Sequence, residues 1–305
     1  MSRIHEALQK ARMHKTGSAE ECPDVDEVIA AAATVPAPRR AWTARVEGVL
    51  SPVPDSATDP ALFLANCPQS NWPSKGENLI FLGGEAHAAC QEQFRTLRSR
   101  LYQMRDKSPL KVIVVSSSIP NEGKSFVSAN LAHTFALPCN HRVLVIDADI
   151  HRASGLTTLL DVPNEEGLTD YLLGERTAEE VIQSGLLENL YVIAHGKRVA
   201  NPGELIGSPR FRILIEQIRP IFDWIIMDAP PILPFADART IADLSDGVLL
   251  VINARSTRAH LSKRAAAEFR RESLLGVVLN RTADESATFY AAYGYGYEEP
   301  TAVTE

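Results

Sequence analysis

The chain has 305 residues, a net charge of -7 at neutral pH, and hydrophobic and charged fractions of 45% and 23%, as expected for an ordinary globular protein. The negative charge disfavours nucleic acid as a partner, because affinity for a phosphate backbone comes mainly from clustered positive charge. The four cysteines show no C-x-x-C spacing, so neither a zinc site nor a disulfide framework is predicted. No signal peptide and no run of roughly 20 apolar residues is found, so we expect a cytoplasmic protein that reaches a membrane only through a partner.

The chain divides into four parts by composition and periodicity. Residues 1–15 place apolar side chains at helical spacing among basic ones, which predicts a short amphipathic helix. Residues 16–78 are rich in proline and alanine, lack sustained periodicity and are predicted to be a largely disordered linker. Residues 79–286 carry the regular apolar pattern of a folded domain, and residues 287–305 form a tyrosine-rich tail.

The domain pattern predicts an α/β fold. Six short apolar runs of β type, "KVIVVSS", "RVLVID", "NLYVIA", "WIIMDA", "GVLLVI" and "LGVVLN", are mostly separated by helical segments. Alternating β and α elements whose strands are apolar on both faces indicate a doubly wound, mostly parallel sheet covered by helices on both sides. Such sheets bind ligands at the carboxyl ends of their strands.

The first strand runs into "SSSIPNEGKSF", in which Gly123, Lys124 and Ser125 match the Gly-Lys-Ser end of a phosphate-binding loop. Backbone N–H groups of such a loop, with a helix N-terminus behind them, cradle anionic phosphates. Lys124 is predicted to neutralise the β- and γ-phosphates of ATP, and the Ser125 hydroxyl to coordinate Mg²⁺. The predicted cofactor-binding residues are Pro120, Asn121, Glu122, Gly123, Lys124, Ser125 and Phe126.

Carboxylates follow two further strands. Asp147 and Asp149 end the run "VLVIDAD", and Asp228 ends "WIIMD". Carboxylates at the ends of apolar strands are costly unless they are solvated or paired, and a bound Mg²⁺ offers such pairing. We therefore predict Lys124 and the three aspartates as catalytic residues, with Ser125, Asp147 and Asp228 as metal ligands. The alternative for either aspartate group is a helix N-cap.

These three motifs together resemble those of bacterial tyrosine kinases of the capsule and exopolysaccharide type. "SSSIPNEGKS" is similar to their Walker A motif, "VLVIDADIHR" to Walker A′ and "DWIIMDAPP" to Walker B. The resemblance implies a P-loop NTPase of the deviant Walker, partition ATPase-like type. Asn121 stands where the family usually has glycine, and asparagine tolerates the left-handed backbone conformation better than most residues.

The resemblance implies further residues and partners. "EQFRTLR" matches an interface motif through Glu92, Arg95 and Arg98, although the residues alone favour an intrahelical pair between Glu92 and Arg95 on a solvated face. Asn280 would contact adenine, or else only start a turn. The implied partners are a membrane polysaccharide co-polymerase or chain-length regulator as activator, further copies in a ring-shaped homo-oligomer, and a cognate tyrosine phosphatase.

The C-terminal tail carries four tyrosines in a glycine-spaced segment. Gly294 and Gly296 would let it extend into a neighbouring active site. In the context of a phosphate loop, we interpret the segment as an autophosphorylation tail that is modified in trans and regulates exopolysaccharide synthesis and export. The predicted acceptors are Tyr290, Tyr293, Tyr295 and Tyr297.

Two other functions remain open from the sequence. A partition- or septum-positioning-type ATPase shares the fold and both aspartate motifs, but Ile119 stands where such proteins have a signature lysine. A second alternative is a catalytically weak scaffold whose nucleotide state regulates a membrane partner, and the substitutions at Ser118 and Asn121 keep it open. Steady transfer of γ-phosphate to the tail would distinguish the kinase from the scaffold.

Overall fold

The computed structural model describes residues 59–70, 88–138, 140–152, 155–185 and 187–282. Within these residues the chain forms seven strands, which run through a single sheet. In chain order they are β1 Val112–Ser117, β2 Val143–Asp147, β3 Ile182–Ser184, β4 Leu190–Ile193, β5 Trp224–Asp228, β6 Gly247–Asn253 and β7 Leu274–Asn280.

The sheet has the order β3-β4-β2-β5-β1-β6-β7. All neighbouring strands are parallel except β3 and β4, which pair antiparallel. The predicted α/β class with a mostly parallel sheet is therefore confirmed. Six strands coincide with the six apolar runs read from the sequence, whereas β3 is not among them.

Helices fill the connections between the strands. The helical segments that the sequence predicts between most of the apolar runs are present. The helices are α1 Pro60–Ala65, α2 Ala88–Arg105, α3 Lys124–Ala136, α4 Leu156–Leu160, α5 Leu168–Leu173, α6 Ala178–Val181, α7 Pro202–Ile206, α8 Pro209–Ile218, α9 Asp237–Ala242 and α10 Ala259–Glu268, with a 3-10 turn at Arg271–Ser273.

The sheet carries a hydrophobic core on each face. Alternate side chains of β1 serve opposite cores: Val112 and Val114 pack in one cluster, and Ile113 and Val115 in the other. Such alternation follows from the two-residue period of a strand. All residues of β1, β2, β4, β5 and β6 are buried, so helices must cover both faces.

Residues 59–70 correct the predicted linker. This stretch lies within 16–78, yet it forms α1 and then pairs with the edge of the sheet, where Ser70 N donates to Ser184 O at 2.8 Å and Ser184 N to Pro68 O at 3.0 Å. Phe63 is buried in the core, and its burial stabilises the docked stretch by about 1.5–3 kcal/mol. Disorder is therefore the wrong description of this part of the linker.

Several predictions concern residues outside this description. The predicted helix at 1–15, the remainder of the linker prediction at 16–78 and the tail at 287–305 with its four acceptor tyrosines all lie there. Among the residues that the structure does describe, no helix has both the length and the apolar character needed to cross a membrane.

Candidate active site

The phosphate loop connects β1 to α3 at the carboxyl edge of the sheet. Asn121 and Gly123 adopt positive φ angles of 68° and 96°, which turn the loop sharply before α3 begins at Lys124. The expectation that asparagine can hold the left-handed conformation at this position is confirmed. A Cβ at Gly123 would come within 2.0 Å of the Asn280 side-chain nitrogen, so glycine is required there both by space and by φ.

Lys124 lies between two carboxylates. Its Nζ is 2.7 Å from Asp149 Oδ2 and 3.4 Å from Asp228 Oδ2, and its side chain is buried. Burial works against the charged lysine, but the carboxylates of Asp228 and Asp149 outweigh it and raise the pKa of Lys124. The lysine is therefore held as a cation at the helix N-terminus, where phosphate would bind.

Asp228 ends β5 and is completely buried. Ser125 Oγ donates to its Oδ2 at 2.6 Å, and Ser128 Oγ lies 3.1 Å from its Oδ1. Burial, opposed by Lys124, raises the pKa of Asp228 to about 6. Two hydroxyls about one turn apart on the same face of α3 thus fix the orientation of this carboxylate, and a nearby cation would favour its charged form.

Asp147 ends β2 directly opposite Asp228 of β5 in the strand register. Its Oδ2 accepts hydrogen bonds from Thr157 N at 2.9 Å and Thr157 Oγ1 at 2.6 Å. Burial raises the pKa of Asp147, although the two bonds from Thr157 oppose this. The N-cap alternative is partly realised, because Asp147 caps the first turn of α4, whose own N-cap residue, Gly155, makes no side-chain cap bond.

The residues fit a magnesium ion shared with a nucleotide. Asp147 Oδ1 is buried without a hydrogen-bond partner, and a Cβ at Gly155 would lie 3.5–3.9 Å from the Asp147 carboxylate and Ser125 Oγ. Space beside oxygen donors is thus kept open by a glycine. Mg²⁺ usually takes one or two carboxylates and substrate phosphates, and Asp147 and Asp228 would supply the carboxylates beside a bound nucleotide.

The other predicted cofactor residues are placed differently. Pro120 is exposed, whereas Phe126 packs edge-on against Phe94 of α2 with ring centroids 6.2 Å apart. Asn280 Nδ2 donates to Glu122 O at 2.9 Å, so its amide supports the phosphate loop. The Glu122 side chain is buried, which leaves only its main chain for a phosphate contact. A contact between Asn280 and adenine stays a prediction.

The three predicted interface residues lie on α2. Arg95 Nη1 forms the intrahelical pair with Glu92 Oε2 at 3.0 Å, and both side chains are about half exposed. Arg98 Nη1 instead donates to Thr134 O of α3 at 2.8 Å. The structure therefore contains the pair that the residues alone favoured, while an additional role of this face between subunits stays a prediction.

Sequence reasoning missed two residues that orient the aspartates. Ser128 follows Lys124 by one helical turn, so the spacing alone places both on one face of α3. Thr157 also receives a hydrogen bond from His195 N at 3.1 Å and so links the ends of β2 and β4. No sequence motif identifies Thr157, because its role depends on a contact with Asp147, ten residues earlier in the chain, that only the folded structure brings about.

The residues of this site lie within the segment that is similar to known proteins. A family model described as an AAA domain matches residues 110–260, which contain the phosphate loop and the three strand-end aspartates. Tyrosine-protein kinase YwqD of Bacillus subtilis is 31% identical over 229 residues, covering 74% of this chain and 94% of YwqD.

Two further matches extend the comparison. The succinoglycan biosynthesis transport protein ExoP of Rhizobium meliloti is 33% identical over 198 residues, which cover 63% of this chain and 25% of ExoP. The crystal structure of the chimerical protein CapA2B2 superposes with a TM-score of 0.63 at 29% identity, covering 72% of this chain and 96% of that one. The resemblance read from the three motifs is confirmed by these matches.

Proposed function

Because the chain belongs to the bacterial tyrosine-protein kinases, we propose that it is an autokinase that transfers the γ-phosphate of ATP to its own C-terminal tyrosines in trans. The acceptors are Tyr290, Tyr293, Tyr295 and Tyr297. Their phosphorylation regulates the synthesis and export of an exopolysaccharide or capsule, a role supported by the similarity to ExoP, a succinoglycan biosynthesis transport protein.

One observation carries the proposal: Lys124 stands at the N-terminus of α3 within 2.7 and 3.4 Å of two buried carboxylates. On nucleotide binding, the lysine exchanges part of this pairing for phosphate oxygens. Phosphoryl transfer needs positioning and electrostatic stabilisation more than covalent chemistry from the protein. A fixed cation beside a loop of backbone donors supplies both.

Ser125, Asp147 and Asp228 would hold Mg²⁺. When bound, the ion neutralises charge on the β- and γ-phosphates. The chain prepares for it through Thr157, which occupies one oxygen of Asp147 and leaves Oδ1 without a hydrogen-bond partner. The Asp228 carboxylate is likewise turned by the Ser125 and Ser128 hydroxyls.

The acceptor tyrosine must lose its proton, since its hydroxyl has a pKa near 10. Asp149 or Asp147 accepts this proton as the tyrosine oxygen bonds to the γ-phosphorus and the bond from phosphorus to the ADP oxygen breaks. Asp149 Oδ1 is buried without a hydrogen-bond partner, while its Oδ2 pairs with Lys124. This arrangement supports Asp149 as an acceptor that stays close to the transferred group.

Regulation requires partners that act from outside the domain. A membrane polysaccharide co-polymerase or chain-length regulator activates the kinase and brings it to the cytoplasmic face of the inner membrane. Copies of the chain assemble into a ring through the α2 face bearing Glu92, Arg95 and Arg98. A tyrosine phosphatase resets the tail. The similarity to ExoP over the present domain supports the link to polysaccharide transport.

The test is incubation of the purified chain with ATP and Mg²⁺, with and without the membrane partner, followed by peptide mapping of phosphotyrosine. Wild-type protein should acquire phosphate on the tail, and Lys124→Met should acquire none. Lys107→Met, which changes an exposed lysine remote from the phosphate loop, is the matched control. Equal labelling of wild type and Lys124→Met would refute the proposal, and ATP hydrolysis by the wild type without tail labelling would favour the partition-type ATPase.

A further inference from the structure

Glu122 lies inside the phosphate loop, but its carboxylate is turned away from the anion site. The side chain is 1% exposed. Its Oε2 accepts from Ile119 N at 2.8 Å, while Oε1 accepts from Asn253 N at 3.2 Å and from the Thr257 hydroxyl. We call this group of Glu122, Ile119, Asn253 and Thr257 the Glu122 clasp.

The chemistry of the clasp calls for a carboxylate. All three partners of Glu122 present hydrogens to it, and an ionised carboxylate is a side chain that only accepts, on both oxygens. Glutamine would turn an NH₂ group toward one of these donors, leaving a buried N–H or hydroxyl without an acceptor. Charge-assisted bonds of this kind are also stronger than neutral ones.

The clasp joins the loop to a segment 131–135 residues further along the chain, at the end of the strand that pairs with β1. Asn253 is the last residue of β6, and Thr257 follows it in the next turn. The main chain of Glu122 is held as well, because its carbonyl accepts from Asn280 Nδ2 at 2.9 Å at the end of β7. The loop is therefore fixed at one residue by side chain and main chain, between the two positive-φ residues Asn121 and Gly123.

We propose that Glu122 is a positioning residue that sets nucleotide affinity by holding the phosphate loop in its anion-binding shape before ATP arrives. An acidic side chain in a loop for polyphosphate would repel the ligand if it faced the cradle, and the clasp keeps it on the β6 side. The inference rests on the proposed nucleotide binding and goes beyond it by assigning the cause of the loop's shape.

Loss of the clasp should weaken ATP binding more than it slows the phosphoryl-transfer step. Loop residues that are no longer held must be ordered when ATP binds, and each ordered residue carries an entropic cost. We expect Glu122→Gln to raise the Kd for ATP by about 10- to 50-fold. The turnover number at saturating ATP should stay within about twofold of wild type, because Lys124 and the aspartates are unchanged once the complex has formed.

The experiment measures equilibrium binding of a fluorescent ATP analogue, and the KM and kcat of tail phosphorylation, on the full chain. Thr257→Val removes a single donor and should raise Kd in the same direction. Thr257→Ser keeps the hydroxyl and is the matched conservative variant. In a double-mutant cycle, Glu122→Gln and Thr257→Val should be non-additive, because they break one connection.

The outcomes separate the clasp from the proposed function. A wild-type protein that binds no ATP would refute nucleotide binding itself. Wild-type binding together with Kd values within twofold for both folded variants would refute the clasp. A fall in kcat at unchanged KM would also overturn it, since it would assign Glu122 to the chemical step. If Glu122→Gln does not fold, the contrast between Thr257→Val and Thr257→Ser decides the matter on its own.

Discussion

Replacing Thr157 with valine tests whether the Thr157 hydroxyl orients the Asp147 carboxylate. Valine keeps the shape and volume of threonine but removes the hydroxyl that donates to Asp147 Oδ2 at 2.6 Å and accepts from His195 N at 3.1 Å. The backbone bond from Thr157 N to Asp147 at 2.9 Å remains. The change is therefore confined to one oxygen atom with two hydrogen bonds.

The expected size of the effect follows from those two bonds. A hydrogen bond to a charged group contributes about 1.5–3 kcal/mol, so loss of the bond to Asp147 should lower transition-state stabilisation by roughly 10- to 150-fold in kcat/KM. The orphaned His195 N–H should lower the free energy of unfolding by about 1–3 kcal/mol. The pKa of Asp147, which burial already raises, should rise further because the Thr157 bond opposes that shift.

The assay is tail phosphorylation as a function of Mg²⁺ concentration at fixed pH. Magnesium binding requires a deprotonated carboxylate, so Thr157→Val should need more Mg²⁺ and should recover partly at higher pH. Thr157→Ser retains the hydroxyl and serves as the control. If Thr157→Val matches Thr157→Ser at every Mg²⁺ concentration, the Thr157 hydroxyl does not orient the Asp147 carboxylate, and the argument for a prepared metal ligand fails.

Three further changes test other parts of the structure. Gly123→Ala should lower ATP affinity at least tenfold in a binding titration, because its Cβ would meet the Asn280 side chain at 2.0 Å in a left-handed backbone; unchanged affinity would contradict the loop geometry. Arg98→Ala should lower the free energy of unfolding by about 1 kcal/mol, because its hydrogen bond to Thr134 O is lost. Light scattering of the same variant tests the interface, and an unchanged molecular mass would argue against an interface role for Arg98. Burial lowers the pKa of His133 to about 4, so the unfolded state binds more protons and stability falls as pH drops from about 6.5 toward 4. Between pH 7.5 and 5, protonation of His133 in the unfolded state should lower the free energy of unfolding by about 2 kcal/mol. The wild type should show this loss in denaturant unfolding and His133→Gln should not. If the free energies of both proteins change equally with pH, the prediction is wrong.

Most of the sheet could be predicted because its strands are apolar on both faces and leave a continuous signal. The strand β3 was not predicted, because it has only three residues, follows α6 without a break and carries the polar Gln183 at its centre. The order of residues 59–70 was not predicted for a different reason. Its proline-rich neighbourhood obscures a short apolar segment around Phe63, whose burial depends on a partner surface that local sequence does not reveal.

The candidate site shows the same division between local and tertiary information. Lys124 and Asp228 were predictable because each occupies a fixed place in a strand-end motif. Thr157 and Glu122 were not assigned their roles, since a threonine beside a catalytic carboxylate and a glutamate turned out of its own loop look ordinary in sequence. Their partners come from other strands, and only the fold brings them together.

The docking of residues 59–70 also determines where this sheet can be extended. Pro68 and Ser70 occupy the main-chain groups of Ser184, so the β3 side is closed by the chain's own backbone and is a poor template for another molecule's strand. Among the described residues, β7 has no second strand neighbour, and its seven residues are all half-buried. Extension of the sheet by another molecule, whether in assembly or in aggregation, is thus disfavoured on the β3 side, where the chain's own backbone already pairs with the main-chain groups of Ser184.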